Sequence, residues 1–358
     1  MKFGLVKTIN KVGSFKVNED NILHINEVNY LFNNQKLIQT NVVSFNFLFN
    51  NIECFTEDRV TYIIKDYKVL NKISGTIITN SIFKNSFLLS NYKNSLYEIE
   101  LFYLIENELI KRDNLIHKIN FGSNIRLENN FIFQSSSNNI KSLSLLTGKF
   151  EWETNLSGRK YLINNEEQEA KIIALLGVYE NHLLVWLAGD RLISIDTNNG
   201  TILYEILPFE GLVDVNGFQL WDFRDLFLEQ ETGKIIMLNK LFYYEIDILT
   251  QQVQQCKSFY TGNAYGLGRL PNMPEPPADI MFKQAVYTND FIYFIGGYTF
   301  ATNIVGVFNR KTYNIDWQES INLLETDNFN NFKDIQYANN KIYVLDSGNQ
   351  LHIFEKEE

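Results

Sequence analysis

Residues 143–152, Leu143-Ser144-Leu145-Leu146-Thr147-Gly148-Lys149-Phe150-Glu151-Trp152, decide how the chain is read, because their pattern returns three more times. The other copies are Ile195-Asp196-Thr197-Asn198-Asn199-Gly200-Thr201-Ile202-Leu203-Tyr204, Ile246-Asp247-Ile248-Leu249-Thr250-Gln251-Gln252-Val253-Gln254-Gln255, and Phe308-Asn309-Arg310-Lys311-Thr312-Tyr313-Asn314-Ile315-Asp316-Trp317. Each is an apolar strand end, a polar residue, a four-residue turn and an alternating strand. With Ser144, Asp196, Asp247 and Asn309 as equivalent anchors, the intervals are 52, 51 and 62 residues. Trp152, Tyr204, Gln255 and Trp317 then share a second column, eight positions after each anchor. Self-similarity at such a period marks a repeat architecture, in which one supersecondary unit is stacked or arranged in a ring.

Working outward, a second apolar strand precedes each turn. Leu183–Leu187 leads into Asp190–Ile195, Phe291–Ile295 into Ile304–Phe308, and Lys341–Leu345 passes through Asp346-Ser347-Gly348-Asn349 into Gln350–Phe354. Such pairs, joined by Gly- or Asn-containing turns, read as β-hairpins. One further strand per repeat gives a four-stranded antiparallel sheet about every 50 residues, within the range of a propeller blade.

The pattern resembles the quinoprotein-like (PQQ-like, WD40-like) family of β-propeller repeats, whose blade signature is Thr-Gly with Trp four residues after the Gly. Thr147-Gly148 with Trp152 matches in full; Asn199-Gly200 with Tyr204 keeps the Gly and an aromatic; Thr312 with Trp317 keeps the flanks around Tyr313; Thr250 with Gln255 is degenerate. The repeats are clear over about 87–355, with a further anchor expected near Glu100 and two more blades within residues 1–86. The expected fold is all-β: a single β-propeller domain over 1–358 with seven four-stranded blades, the N-terminal strand completing the last blade and closing the ring. The resemblance also implies that Trp152, Tyr204 and Trp317 form a structural column packed between neighbouring blades.

Composition agrees with a strand-rich fold. Phe and Tyr, 28 and 19 residues, supply most of the aromatic content, and such side chains suit pleated, half-buried strands. Asn pairs at 33–34, 138–139, 198–199 and 339–340 fall between apolar runs, where Asn tolerates left-handed turn conformations, although an AT-rich genome would raise Asn usage as well. A net charge of −10 argues against nucleic acid as partner and favours basic partners. No run is long enough for a signal-peptide core or a membrane span, and two cysteines, Cys54 and Cys256, make no disulfide framework. The expectation is a cytoplasmic monomer with no membrane partner and no cofactor.

Catalytic chemistry is hard to place. His24, His117, His182 and His352 lack metal-ligand spacing, and no phosphate loop, dinucleotide fingerprint or nucleophile elbow occurs. The Gly-rich run 261–268 is followed by prolines where a phosphate site needs a helix N-terminus. Asp222 and Asp225 flank Arg224 and read as a solvated loop. True quinoprotein dehydrogenases hold pyrroloquinoline quinone and calcium under a vicinal disulfide; this chain has no adjacent cysteines. Two features break the period. Residues 164–171 concentrate helix formers and read as one or two helical turns. The Pro-rich insertion 260–279 carries Tyr260, Tyr265, Arg269, Met273 and Glu275, a mixture typical of binding hot spots, and reads equally as a loop that plugs or caps the ring. The reading is a non-catalytic propeller that binds a protein partner, with an immunity or inhibitor protein against a basic bacterial toxin domain as the sharper form. Its alternatives are an enzyme or small-ligand binder using the central channel, and a scaffold subunit.

Overall fold

The computed structural model describes the chain except residues 19–20, 27–28, 33–34, 40–43, 50–51, 58, 66–67, 79–83, 85, 94–95, 106–107, 113–116, 120, 164–165, 208–225, 260–279, 298–301, 322–330 and 358. It divides into two compact units, Met1–Gln39 with Gly211–Glu358, and Thr40–Glu210. All regular structure among the described residues is β.

In the first unit, sheet I is Ser14–Asn18, Asn21–Asn26, Asn29–Phe32 and Gln35–Gln39; sheet VI is Phe227–Glu229, Lys234–Asn239, Phe242–Asp247 and Gln252–Ser258; sheet VII is Met281–Tyr287, Phe291–Gly297, Ile304–Asn309 and Asn314–Ser320. Sheet VIII is Phe332–Ala338, Lys341–Asp346 and Leu351–Lys356, with the N-terminal Phe3–Ile9 as its fourth strand, in register from Phe3↔Lys356 to Ile9↔Leu351. The N-terminus therefore completes the last sheet, as expected from the sequence.

In the second unit, sheet II is Ser44–Phe49, Ile52–Glu57, Val60–Lys65 and Lys68–Ser74; sheet IV is Asn124–Arg126, Asn130–Ser136, Asn139–Ser144 and Phe150–Asn155; sheet V is Ile172–Tyr179, His182–Leu187, Arg191–Asp196 and Ile202–Ile206. Sheet III is Thr76–Ile77, Ser86–Lys93, Leu96–Ile105 and Glu108–Lys111, with His117–Ile119 as a fifth strand beside Leu96–Ile105. The described residues thus contain eight blade-type sheets, where the sequence period led us to expect seven. Sheets I and II are compact, their strands only two residues apart, so the N-terminal third holds blades much shorter than the 50-residue repeat.

The repeat has a physical basis in the main chain. In seven sheets the fourth strand carries an extra residue one position before the aromatic column: Val6, Leu37, Leu70, Glu151, Leu203, Gln254 and Asp316. A β-bulge of this kind sharpens the local twist. The column residues Lys7, Ile38, Asn71, Trp152, Tyr204, Gln255 and Trp317 follow it in register. Glu100 is not an anchor: it lies within Leu96–Ile105, opposite Leu89, and pairs with Lys111 at 2.7 Å.

The anchors hold their turns with side-chain caps. Asp196 Oδ1 accepts from Asn198 N–H at 2.9 Å, Asp247 Oδ1 from Leu249 and Thr250 N–H at 3.0 and 2.8 Å, and Asn309 Oδ1 from Lys311 N–H at 2.9 Å. Four residues after each anchor the chain turns left-handed, at Gly148 (φ 69°), Gly200 (φ 76°), Gln251 (φ 60°) and Tyr313 (φ 56°). Glycine takes that conformation without steric penalty, and a β-carbon does not. Tyr313 is compensated by packing near Tyr243, whereas Gln251 is exposed. Gln251→Gly is therefore expected to raise the unfolding free energy by about 1 kcal/mol in urea titration; a loss of stability would show that the Gln side chain holds the turn.

Middle strands are mostly apolar and buried along nearly their whole length, as in Lys234–Asn239, Phe242–Asp247, Phe291–Gly297 and Ile304–Asn309. Outer strands alternate, as in Phe150–Asn155 and Asn314–Ser320. Two aromatics of the column, Trp152 and Trp317, bridge sheets. Trp152 of sheet IV is 7% exposed, and its Nε1–H donates to Thr197 O of sheet V at 2.7 Å. Trp317 of sheet VII packs against Phe3 and Phe354 of sheet VIII at 5.3 and 5.9 Å. Tyr204 lies beside His182 within sheet V. The Asn339-Asn340 pair, both at positive φ, makes the two-residue turn of the Phe332–Ala338/Lys341–Asp346 hairpin.

Helix is not what the described part of residues 164–171 forms. Glu166–Glu169 is a strand paired with Lys160–Ile163 from Lys160↔Glu169 to Ile163↔Glu166. The six good helix formers from 166 to 171 are too few to nucleate a helix alone, and pairing with the preceding strand satisfies the backbone instead.

Candidate functional site

Tyr260, Tyr265, Arg269, Met273 and Glu275 lie outside the described residues, as do the Gly-rich run 261–268 and Asp222, Arg224 and Asp225. The base from which the insertion 260–279 springs is described, and it is firmly built. On the sheet VI side, Phe259 N–H donates to Leu241 O at 2.7 Å. The Phe259 ring meets Phe282 and Phe308 edge-on at 5.1 and 5.9 Å. On the sheet VII side, Ile280 is buried in the same apolar cluster, with Ile236, Leu238, Phe294 and Phe308. Lys257 Nζ reaches across to Asn314 Oδ1 at 2.8 Å. Both ends of the insertion thus leave from a shared core rather than from frayed strand ends.

Between the same two sheets lies a buried ionic cluster that sequence reading did not single out. Glu229 ends the first strand of sheet VI, Glu245 sits in its third, and Arg310 follows the third strand of sheet VII; all three are less than a tenth exposed. Arg310 is bound to both Glu229 oxygens and, at 3.2 Å, to Glu245 Oε1. Its Nη1 also donates to Thr288 O at 2.9 Å. Lys234 Nζ reaches Glu245 Oε2 at 3.1 Å, Tyr243 O–H donates to Glu245, and Thr232 O–H donates to Glu229. Two cations and two carboxylates balance.

Burial alone would push both glutamates up. The donors outweigh it: Arg310 and Thr232 for Glu229, and Tyr243, Lys234 and Arg310 for Glu245, so both sit below the usual carboxylate range. Burial, reinforced by Glu245, holds the Tyr243 phenol well above its ordinary value. Desolvation would lower Arg310, yet Glu229 and Tyr243 raise it. Through these pairings the cluster joins the two sheets. The sequence held one sign of it: Glu245 interrupts the otherwise apolar run Phe242-Tyr243-Tyr244-Glu245-Ile246.

His352 is buried and tied on both sides. Its Nε2 lies 2.9 Å from Asp346 Oδ2, and its Nδ1 lies 3.4 Å from Thr8 Oγ1. Asp346 Oδ1 also accepts Gln350 N–H at 2.8 Å. The hydroxyl, imidazole and carboxylate resemble a nucleophile relay in kind. Thr8 and His352 are direct cross-strand partners, however, and the arrangement ties the N-terminal strand to the hairpin turn. His182 pairs with Ser194 at 2.9 Å, His24 is buried in sheet I, and His117 lies on the fifth strand of sheet III. Among the described residues no group of three or more His, Cys, Asp or Glu could hold a metal ion.

No protein-family model matches the chain, and no curated protein matches it in sequence. Solved structures do. Saccharomyces cerevisiae Sqt1, a WD40 propeller, shares 12% identity at a TM-score of 0.60, covering 99% of this chain and 98% of its own. The computationally designed Ika8 protein shares 12% identity at a TM-score of 0.57, covering 97% and 96%. BamB from Moraxella catarrhalis, a PQQ-like propeller, shares 9% identity over 99% of this chain and 100% of its own, at a TM-score of 0.43 that carries no weight by itself. The all-β propeller fold is thereby shown.

Proposed function

We propose that the protein is a non-catalytic binding protein that recognises another protein through the insertion 260–279. The observation that supports this most directly is the insertion's base: Phe259 and Ile280 anchor its two ends in one buried cluster between sheets VI and VII. A loop rooted this way loses less freedom on docking than one hung from frayed ends, and rigid scaffolds with functional loops are the ordinary division of labour in recognition proteins. Tyr265 and Arg269 supply the residue types that dominate binding energy, and four prolines limit the unbound loop. The net charge of −10 favours a basic partner. Neutralisation of a basic bacterial toxin domain in the cytoplasm is the form of this reading that charge and composition fit best.

Tagged protein purified from its native host is expected to bring down one stoichiometric partner of basic character, identified by mass spectrometry. Tyr265→Ala/Arg269→Ala should cut its recovery at least about tenfold, the scale of one or two hot-spot residues. A partner retained equally by this variant would place the binding surface elsewhere. A clean monomer with nothing bound would turn attention to a small ligand.

A further inference from the structure

The hairpin Lys160–Ile163/Glu166–Glu169 stands apart from the eight blade-type sheets: among the described residues its two strands pair only with each other. It is nevertheless pinned. Tyr161 is 9% exposed and lies under the Arg191 guanidinium, 4.2 Å from its ring centre. Tyr161 O–H donates to Glu205 Oε2 at 3.1 Å, and Arg159 and Arg191 bind the same carboxylate at 3.3 and 2.8 Å. Burial drives the Tyr161 phenol above its ordinary value, so it remains the donor. One face of the hairpin is thus fixed onto the fourth strand of sheet V, and the opposite face and outer edge are left open.

Register defines what that open side presents. Ala170 N–H donates to Arg159 O at 2.8 Å, which makes 159/170 a bonded pair. Bonded pairs alternate along an antiparallel ladder, so the main-chain groups of Gln168 turn inward and those of Glu167 and Glu169 turn outward. All four residues of Glu166–Glu169 are exposed. Lys160, Leu162, Glu167 and Glu169 share the face opposite Tyr161, since Lys160 is opposite Glu169 and Leu162 opposite Glu167. Leu162, at 73%, is the most exposed large apolar side chain among the described residues. Lys160 neutralises Glu167 at 2.8 Å and leaves Glu166 and Glu169 uncompensated by any close cation among the described residues.

We infer that the outer edge of Glu166–Glu169 takes an extended, basic segment of a partner protein by strand addition. The main chain of Glu167 and Glu169 supplies the new ladder; Leu162 is covered by an apolar side chain, and the carboxylates meet lysine or arginine. Strand addition draws affinity from main-chain hydrogen bonds and selectivity from alternate side chains. Charge decides between occupants. Acidic residues on an edge strand guard against pairing with a second copy, because like charges directly opposite destabilise a ladder. The same residues admit a strand of opposite sign. This inference uses a different surface from the insertion 260–279 and stands whether or not that loop binds.

The test uses the full chain and a short fluorescent peptide of alternating lysine and valine, with a glutamate–valine peptide as control, followed by anisotropy near about 0.15 M salt. The basic peptide should bind and the acidic one should not. Glu167→Lys/Glu169→Lys should weaken binding at least about tenfold, and Leu162→Ser several-fold, with thermal midpoints unchanged because all three sites are exposed. Glu169→Pro removes an outward N–H and should weaken binding too; if it disturbs folding, the charge and Leu162 variants decide alone. Failure of the basic peptide to bind, equal binding by the variants, or equal binding of the acidic peptide would overturn the inference. So would self-association that these variants abolish, since that would assign the edge to a second copy.

Discussion

Arg310→Met is expected to cost about 3–5 kcal/mol of unfolding free energy and to make the protein gain stability as pH falls into mild acid. The cost follows from what remains behind. Glu229 and Glu245 are both less than a tenth exposed, and Arg310 is the group that joins them. Glu245 keeps Lys234 and Tyr243 as hydrogen-bond partners; Glu229 keeps the Thr232 hydroxyl and only the unbonded charge of Lys234. A buried carboxylate stripped of its cation is penalised far more than the intact pair stabilises.

The pH dependence separates this cause from simple loss of packing. In the native protein both glutamates are held below 4.5, so their contribution is fully present above that value and is lost as pH falls through the lowered folded values. In the variant, burial without Arg310 pushes Glu229 above its unfolded value. The folded state then binds the proton more tightly than the unfolded one, and stability rises as pH falls from 7 towards 4.5. Across that range the urea midpoint of the variant should rise as pH falls, while the two glutamates leave that of the native protein unchanged and lower it only at more acid pH. Arg310→Met/Glu229→Gln should recover part of the loss and remove the Glu229 contribution to that rise. A variant that loses about 1 kcal/mol or less, with an unchanged pH profile, would show that water solvates the cluster.

What could be read from the sequence was local, and what could not be read depended on contacts made across the fold. The anchors Asp196, Asp247 and Asn309 are legible because each caps its own turn within three residues. The first two sheets escaped the same reading because two residues, not four or five, separate their third and fourth strands, which leaves no anchor to recognise. Their bulges at Leu37 and Leu70 occupy the equivalent positions, so the backbone keeps a repeat that the side chains have lost. Arg310 meets Glu229 from 81 positions away, and only the misplaced polarity of Glu245 betrayed the cluster. At residues 166–169 propensity pointed to helix, yet the neighbouring strand and the Arg159–Tyr161–Glu205 contacts decided otherwise. Local preference is weak enough for such contacts to override it.

Trp152 shows what the aromatic column contributes. Its indole closes over the turn of the next sheet: Nε1–H donates to Thr197 O, and a β-carbon on Gly200 would stand 2.8 Å from the ring. Thr154, two residues on, donates to Gly200 O at 2.6 Å. The turn therefore needs glycine twice, for its positive φ and for the indole lying against it. Trp152→Ala empties the largest side chain in the sheet IV–V cluster and should cost about 3–5 kcal/mol. Trp152→Phe keeps much of the packing but leaves Thr197 O without its donor, for about 1–3 kcal/mol. Gly200→Ala should destabilise by a comparable amount, and combined with Trp152→Ala it should cost less than the sum, because removing the indole relieves the clash and leaves only backbone strain. Trp317 is half-buried against Phe3 and Phe354, so its truncation should cost less than that of Trp152. Additive losses at Trp152 and Gly200 in urea titration would mean that indole and turn do not constrain each other, and the column would then reflect burial within each sheet instead of a joint between sheets.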